Sequence, residues 1–208
     1  MVSLPLLYPI LDAALLPVEG RESELELLGH SLADAGVTLL QYRNKTGSDQ
    51  ERLKDASLLR RSMPDARLIM NDRADLAVAA EFDGVHVGQQ DMSPTEARAI
   101  VGSHRIVGLS THKEAQFRAA IGQPVDYIAF GPIYPTASKQ NPDPATGLEA
   151  LRRVWSLTAL PLVAIGGITL ENAREVLAHG ATSVAAIGAV FAQSDPAKAV
   201  RDFFLKFQ

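Results

Sequence analysis

Cysteine is absent from the 208-residue sequence. The chain therefore has no disulfide framework, no thiolate nucleophile and no zinc–thiolate site. This composition is compatible with the reducing cytoplasm, where we expect the protein to act. Any chemistry must rely on other side chains.

An excess of basic residues is also lacking, because 20 Lys and Arg stand against 24 Asp and Glu, a formal net charge of −4. Without a broad basic surface, nucleic acid and anionic membranes are poor electrostatic partners. We therefore expect small-molecule partners, and neither nucleic acid nor a membrane. An anionic ligand would have to be held by a local cluster of cations.

Long apolar runs are missing as well, since none approaches the roughly 20 residues that span a bilayer. The opening segment MVSLPLLYPILDAALLP is apolar, but Pro5, Pro9 and Asp12 interrupt it and no basic region precedes it. We interpret it as a buried first strand and not as a signal peptide. The sequence predicts a soluble protein and leaves the oligomeric state open, a homo-oligomer included.

Eight short apolar runs alternate with amphipathic segments along the chain. They are LLYPILD, LLQYR, RLIMN, GVHVG, RIVGLS, DYIAFGP, PLVAIGG and SVAAIGA. Near-continuous apolarity is typical of parallel strands that helices cover on both faces. Eight strand–helix repeats in a chain of this size predict a single (β/α)₈ TIM-barrel domain over residues 1–208. A doubly wound open sheet is the alternative.

Capping boxes, in which a Ser or Thr precedes a Glu by three residues, mark three helix starts. The pairs are Ser48 with Glu51, Ser93 with Glu96, and Thr111 with Glu114. A barrel gathers its chemistry at the carboxyl ends of its strands, so the residues between each run and the next helix are the candidates for a site.

Two cations and an amide follow the second run. In QYRNK, Gln41, Arg43 and Lys45 alternate, so in a strand their side chains point to the same side. Arg is suited to bidentate contact with phosphate oxygens, and Lys acts as a point charge. The group is suited to gripping a diphosphate, with an ordinary solvated strand end as the alternative.

Carboxylates follow the third and fourth runs. Asn71 and Asp72 stand at one strand-to-helix junction, and Asp91 stands just before the next helix start. Each Asp taken alone is typical of a helix cap. Two carboxylates on neighbouring strand ends are also suited to Mg²⁺, which binds one or two carboxylates together with substrate phosphates. Arg43 and Lys45 beside them would complete a magnesium–diphosphate pocket.

Glycines end the seventh and eighth runs. Gly166, Gly167 and Gly188 taken singly are consistent with tight turns. Loops at these positions of a barrel often bind phosphate through backbone amides, however. Their paired placement favours a second anion site.

Taken together, these motifs resemble the thiamine phosphate synthase family. The resemblance covers nearly the whole chain and rests on the order and spacing of QYRNK, NDRADLA, DGVHVGQQD, GLSTH, GPIYPTASK, GLEALR and AIGGI. It implies a magnesium-dependent transferase with a (β/α)₈ fold. Such an enzyme couples 4-amino-2-methyl-5-hydroxymethylpyrimidine diphosphate with 4-methyl-5-(2-hydroxyethyl)thiazole phosphate by a dissociative reaction that releases diphosphate.

The resemblance also implies roles for individual residues. Arg43, Lys45 and Lys139 would be catalytic, and Asp72 and Asp91 would hold Mg²⁺. The substrate-binding set would comprise Gln41 and Ser110 on the pyrimidine side, Asn71 with the three cations on the diphosphate, and Thr136, Ser138, Gly167, Ile187 and Gly188 on the thiazole phosphate. Within GPIYPTASK, Lys139 would then bridge the two half-sites.

Three positions depart from the family pattern. Tyr42 stands in place of an aliphatic residue and should matter little, because its side chain faces away from Arg43. Ser138 replaces a common threonine and keeps the hydroxyl. Gly188 stands where the family commonly has serine, so one hydroxyl contact to the thiazole phosphate is lost.

Two other functions remain alternatives. A thiazole tautomerase of the same barrel lineage needs no magnesium–diphosphate pocket. The residues whose joint presence argues against it are Arg43, Lys45, Asp72, Asp91 and Lys139. His112 does not discriminate, because both groups can carry histidine there. His86 is interpreted as either a hydrogen-bonded barrel residue or a substrate contact. A non-catalytic sensor would bind thiazole phosphate or thiamine phosphate without turnover.

Overall fold

The computed structural model describes residues 2–136 and 143–208. Eight parallel strands pair in chain order, and β8 pairs with β1 to close a barrel. The strands are β1 (Leu7–Asp12), β2 (Leu39–Arg43), β3 (Arg67–Asn71), β4 (Gly84–Val87), β5 (Ile106–Thr111), β6 (Tyr127–Phe130), β7 (Leu162–Ile165) and β8 (Ser183–Ala186). The predicted (β/α)₈ barrel is confirmed, and the closure excludes an open sheet.

Helices connect the strands and cover the outside of the barrel. They are α1 (Arg21–Asp34), α2 (Asp49–Ser62), α3 (Ala74–Ala79), α4 (Pro94–Val101), α5 (Glu114–Ile121), α6 (Gly147–Trp155), α7 (Ala173–Ala178), α8 (Gly188–Phe191) and α9 (Pro196–Phe207), with a short 3₁₀ turn at Ala13–Leu15. Apolar side chains of the strands and helices form one continuous buried layer between them. In the described ranges, no helix has the length and apolarity needed to cross a membrane.

A second, smaller apolar cluster fills the inside of the barrel. It is built from strand residues that alternate with the outward-facing ones, namely Tyr8, Ile10, Leu39, Ile69, Ile106, Tyr127, Ala129, Val163 and Ala185. Because successive strand residues point to opposite faces, the polar residues in register with this cluster also face inward. At the carboxyl ends of the strands they line the mouth of the barrel.

Two of the three predicted capping boxes are present, at the starts of α2 (Ser48 with Glu51) and α4 (Ser93 with Glu96). The prediction for Thr111 and Glu114 is wrong. Lys113 is the N-cap residue of α5, and Thr111 Oγ1 donates to Ala129 O on β6 at 2.8 Å. A long-range partner on the neighbouring strand has replaced the local one.

Candidate functional site

Strand register brings the predicted polar residues to one face of the sheet. Asp12 on β1 is paired with Arg43 on β2, and Asn71 on β3 is paired with His86 on β4. Paired residues of neighbouring strands project to the same side. Ser110 on β5 is paired with Ala129 of the interior cluster, so it also faces inward.

Arg43 is held by a carboxylate that sequence reasoning missed. Asp12, the last residue of β1, accepts a hydrogen bond from Arg43 Nη1, and the two side chains are only 11% and 19% exposed. The other Asp12 oxygen accepts from Ala14 N at 3.1 Å. Asp12 therefore orients the guanidinium at the mouth. The sequence does carry a signal for this pair, since Asp12 ends the first apolar run and Arg43 ends the second.

Lys45 lies beyond the end of β2, in the loop that leads to α2. Its ammonium forms an ion pair with Asp72, which follows β3. Arg52 Nε donates to Asn44 O at 2.9 Å, and Asn44 Oδ1 accepts from Gly47 N at 2.7 Å. The cation is thus positioned by a hydrogen-bonded loop and not by strand alternation alone.

Tyr42 supports the same loop from outside the barrel. Its hydroxyl donates to Asp55 Oδ2 at 2.5 Å and accepts from Asn44 Nδ2 at 3.1 Å. Arg21 Nη2 lies 2.5 Å from the same Asp55 oxygen. Burial raises the pKa of Tyr42, and the adjacent Asp55 raises it further. The side chain belongs to the outer apolar layer, away from Arg43, but its hydroxyl contacts the loop that carries Lys45.

Asp72 and Asp91 are not the caps of the helices that follow them. The N-cap residue of α3 is Arg73, with no side-chain cap, and α4 is capped by Ser93. Asp72 instead has a left-handed backbone with φ 64°, and its amide donates to His86 O at 2.7 Å. The helix-cap alternative therefore accounts for neither carboxylate.

The two carboxylates interact with each other. Burial raises the pKa of the Asp72 carboxyl, the Lys45 ammonium opposes that rise, and the Asp91 carboxylate adds to it. Asp91 Oδ2 also accepts from Gly88 N at 2.8 Å. A partly buried pair of carboxyls favours a proton or a cation beside it.

This pair fits the chemistry of Mg²⁺. Magnesium is commonly bound through one or two carboxylates, with substrate phosphates and water at its other positions. Within residues 2–136 and 143–208, no group of three or more His, Asp or Glu side chains could hold a metal ion. Asp72 and Asp91 would therefore supply a partial ligand set that a phosphorylated substrate completes.

His86 is the centre of a buried chain of hydrogen bonds inside the barrel. Its Nδ1 lies 2.8 Å from the Tyr127 hydroxyl, and its Nε2 lies 2.7 Å from Ser110 Oγ. The Tyr127 hydroxyl lies 2.9 Å from that of Tyr8, which accepts from Gln41 Nε2 at 3.0 Å. Burial lowers the pKa of His86 to about 4, so the ring is neutral at physiological pH. Tyr8 and Tyr127 were not selected from the sequence, because each lies within an apolar run.

His112 lies directly after β5. Its Nδ1 is 2.6 Å from Gly131 O, and its backbone amide donates to Gln116 Oε1 at 2.8 Å. Its Nε2 lies 3.8 Å from Asp143 Oδ2. These contacts give His112 a role in joining neighbouring loops of the mouth.

The loop after β7 contains the predicted glycine pair. Gly166 and Gly167 have φ values of 95° and 64°, in the region that glycine adopts without strain. A Cβ atom at Gly166 would lie 2.4 Å from Pro132 Cβ, and one at Gly167 would lie 2.6 Å from Pro135 O. Glycine is required here both by conformation and by the close approach of the loop that follows β6.

The remaining residues assigned to the thiazole side lie on two other loops. Ile187 is the N-cap residue of the short helix α8, which begins at Gly188. Thr136 is half-buried in the loop that follows β6. Ser138 and Lys139 lie outside the described residues.

A groove of about 460 Å³ lies elsewhere, beside α1 and the segment that joins α8 to α9. Leu28, Gln193 and Asp195 are among its lining residues. None of the polar strand-end side chains described above lines it. The candidate site is therefore assigned to the barrel mouth, where the charged groups converge.

Fold and site together define an enzyme of the (β/α)₈-barrel class with cations and carboxylates at its mouth. Residues 7–190 match the family model described as thiamine monophosphate synthase. The chain belongs to the thiamine monophosphate synthase family. The resemblance seen in the sequence and the prediction of a transferase are both confirmed.

Curated relatives and a solved structure match nearly the whole chain. A thiamine-phosphate synthase of Koribacter versatilis is 50% identical over 203 residues, covering 97% of this chain and 95% of the relative. Another, of Chlorobium phaeovibrioides, is 42% identical over 196 residues, covering 93% and 90%. The structure of a thiamine phosphate pyrophosphorylase from Pyrococcus furiosus has a TM-score of 0.83 and 31% identity, covering 97% of this chain and 95% of that one.

Proposed function

We propose that this protein is a thiamine-phosphate synthase. It would couple 4-amino-2-methyl-5-hydroxymethylpyrimidine diphosphate with 4-methyl-5-(2-hydroxyethyl)thiazole phosphate to give thiamine phosphate and diphosphate. The observation that carries the proposal is the convergence of Arg43, Lys45, Asp72 and Asp91 on one barrel mouth, in a chain of this family. Two cations and two carboxylates suit a magnesium–diphosphate group.

The reaction asks the protein chiefly to stabilise charge on the leaving diphosphate. The carbon–oxygen bond to the diphosphate breaks first, and the pyrimidine amino group stabilises the resulting cation. Arg43, oriented by Asp12, would donate hydrogen bonds to phosphate oxygens, and Lys45 would add a point charge. The thiazole nitrogen then attacks the pyrimidine methylene carbon. No protein nucleophile is needed, which suits a chain without cysteine.

Asp72 and Asp91 are the residues that would hold Mg²⁺. When bound, the ion would neutralise charge on the diphosphate oxygens. Asn71 precedes Asp72 on the inward face of β3, and we assign it to the diphosphate as well. The left-handed backbone at Asp72 sets the direction in which its carboxylate leaves the strand. Holding both substrates at one mouth adds the advantage of proximity.

The two half-sites follow from the strands that bear them. Gln41 and Ser110, at opposite ends of the buried hydrogen-bond chain, would contact the pyrimidine. The thiazole phosphate would be held by the loops after β6, β7 and β8, through Thr136, Ser138, Gly167, Ile187 and Gly188. The positive φ of Gly167 and the helix start at Gly188 support backbone amides as its ligands. Lys139 would contact the diphosphate between the two halves.

The test is product formation with each component omitted in turn. With both substrates and Mg²⁺ present, we expect thiamine phosphate and diphosphate in equal amounts, and neither when one substrate is left out. Conversion of an isomeric thiazole phosphate alone, without coupling, would identify a tautomerase. Binding of both substrates without release of diphosphate, by protein with the expected circular dichroism, would identify a sensor.

A further inference from the structure

The hydrogen-bond chain inside the barrel links the two residues assigned to the pyrimidine. Gln41 on β2 and Ser110 on β5 are joined through the hydroxyls of Tyr8 and Tyr127 and the ring of His86, over contacts of 2.7–3.0 Å. The five residues come from five different strands. All but Ser110 are buried.

The geometry of the chain is fixed by packing as well as by hydrogen bonds. The His86 and Tyr127 rings are stacked with centroids 5.5 Å apart, and Tyr8 meets Tyr127 edge to face at 5.9 Å. Gly108 provides the room for this contact, because a Cβ there would lie 2.4 Å from the Tyr127 hydroxyl and 2.6 Å from His86 Nδ1. A side chain at Gly108 would separate the two partners.

The hydrogen-bond chain has a preferred direction, because Gln41 meets Tyr8 through its amide nitrogen, which donates and cannot accept. Gln41 Nε2 donates to Tyr8, so the Tyr8 proton is satisfied by donation to Tyr127. Tyr127 then donates to His86 Nδ1, which leaves the single proton of the neutral ring on Nε2. In the reverse direction the Tyr8 hydroxyl would accept twice, and its own buried proton would lack an acceptor. A hydrogen bond left unmade in this way disfavours the reverse arrangement by about tenfold or more.

The same direction decides what each end of the chain presents to a ligand. His86 Nε2–H donates to Ser110 Oγ, so the Ser110 proton is left to point elsewhere. At the other end the Gln41 amide nitrogen is engaged by Tyr8, while its Oε1 has no partner among the described residues. Within the described ranges, Ser183 Oγ is the only buried side-chain atom without a hydrogen-bond partner, so Gln41 Oε1 is not fully buried. Gln41 Oε1 therefore keeps a small exposed area, although the residue as a whole is only 2% exposed.

We propose that Tyr8, Tyr127 and His86 are positioning residues that determine specificity, by fixing Ser110 as a hydrogen-bond donor and Gln41 Oε1 as an acceptor. This inference rests on the proposed function. An aminopyrimidine carries acceptor ring nitrogens beside an N–H donor, which matches that polarity. In the corresponding oxo-pyrimidine, N–H replaces an acceptor nitrogen and a carbonyl replaces the amino group. Its N–H would then face the Ser110 donor, and its carbonyl would face the acceptor Gln41 Oε1.

The first experiment measures the tautomer of His86 and is independent of activity. Imidazole ¹⁵N shifts of the full-length protein at pH 7, assigned among its five histidines with His86→Gln, should show Nε2 protonated and Nδ1 unprotonated. In Tyr127→Phe the Nδ1 position loses its donor, and a mixture of tautomers is expected. An Nδ1–H ring in the wild type, or no change in Tyr127→Phe, would overturn the proposal.

The second experiment measures selectivity as the ratio of kcat/KM for the amino-pyrimidine diphosphate to that for its 4-oxo analogue. We expect the wild-type ratio to be at least about 100 and to fall about tenfold in Tyr8→Phe and Tyr127→Phe. Tyr42→Phe is the matched control, because it removes a buried tyrosine hydroxyl that is not part of the hydrogen-bond chain. It should change kcat/KM for the two pyrimidines in proportion and leave their ratio unaltered.

The specificity role would be refuted if Tyr8→Phe and Tyr127→Phe had the wild-type ratio and normal thermal midpoints. Failure of the wild type to couple either pyrimidine would instead refute the proposed function. The ¹⁵N measurement would still decide whether the hydrogen-bond chain sets the ring tautomer.

Discussion

Replacing Asp72 by Asn separates the role of the carboxylate charge from the role of the backbone. Asn has nearly the same shape and tolerates the left-handed conformation that Asp72 adopts, with φ 64°. The exchange removes the ion pair with Lys45, whose side chain is 48% exposed, and it also removes the charge beside Asp91. The fold is therefore expected to survive while the charge pattern of the mouth changes.

The expected effect on stability is small because two terms oppose each other. An exposed ion pair stabilises a protein by about 0–1 kcal/mol. Burial and Asp91 raise the pKa of Asp72, so keeping this group ionised at neutral pH costs free energy that Asn does not. We expect the free energy of unfolding to change by less than about 1 kcal/mol, or a shift in thermal midpoint within roughly 4 °C.

The expected effect on turnover is large. Loss of one group that stabilises developing charge typically lowers kcat by about 100- to 1,000-fold. The assay follows diphosphate release from both substrates at several Mg²⁺ concentrations, with unfolding measured on the same preparations. Asp75→Asn is the matched control, because Asp75 is paired with Arg73 at 2.6 Å on the exposed start of α3. Wild-type turnover in Asp72→Asn, or an equal loss in Asp75→Asn, would refute the assigned role of Asp72.

Three further substitutions test other parts of the account. Burial lowers the pKa of His86 from 6.5 to about 4, so the unfolded chain binds this proton more tightly. His86 therefore does not lower the free energy of unfolding above pH 6.5, but it lowers it by about 3 kcal/mol as the pH drops toward 4. Urea unfolding should show that component in the wild type and not in His86→Gln. Gly188→Ser should lower KM for the thiazole phosphate by about tenfold, because it supplies a hydroxyl contact to the phosphate. The side chain has room, since a Cβ at this position would come no closer than 3.9 Å to a neighbour. An unchanged KM would count against a phosphate site at α8. Ser183 Oγ is buried without a partner in the described ranges, so Ser183→Ala should raise the free energy of unfolding by about 1 kcal/mol, and a loss of stability would show that the hydroxyl is satisfied.

The barrel could be predicted because its signals are local and repeated. Each strand is a short apolar run, and the capping boxes at Ser48 and Ser93 need only partners three residues away. Thr111 has the same local pattern, but its hydroxyl found an acceptor 18 residues away on the next strand. Local sequence therefore predicts where elements lie better than it predicts which hydrogen bond a polar side chain makes.

The mouth could be predicted only in part, for the same reason. Charged residues that follow apolar runs can be recognised in the sequence, as are Arg43, Lys45, Asp72 and Asp91. The partner of Arg43 depends on the register of β1 against β2, which no local pattern gives. Tyr8 and Tyr127 are 119 residues apart, and each is indistinguishable from a core residue until the barrel closes. Tyr42 faces outward as expected, yet its hydroxyl contacts Asn44 in the loop that carries Lys45.

The most direct test of the account is the rate of diphosphate release by the wild-type protein, with both substrates present, as Mg²⁺ is titrated. We predict no release in excess chelator, a saturable rise as Mg²⁺ is added, and thiamine phosphate formed in equal amount. Release that is insensitive to chelator would contradict the role of the Asp72–Asp91 pair. No release at any Mg²⁺ concentration, by folded protein, would contradict the proposed coupling reaction itself.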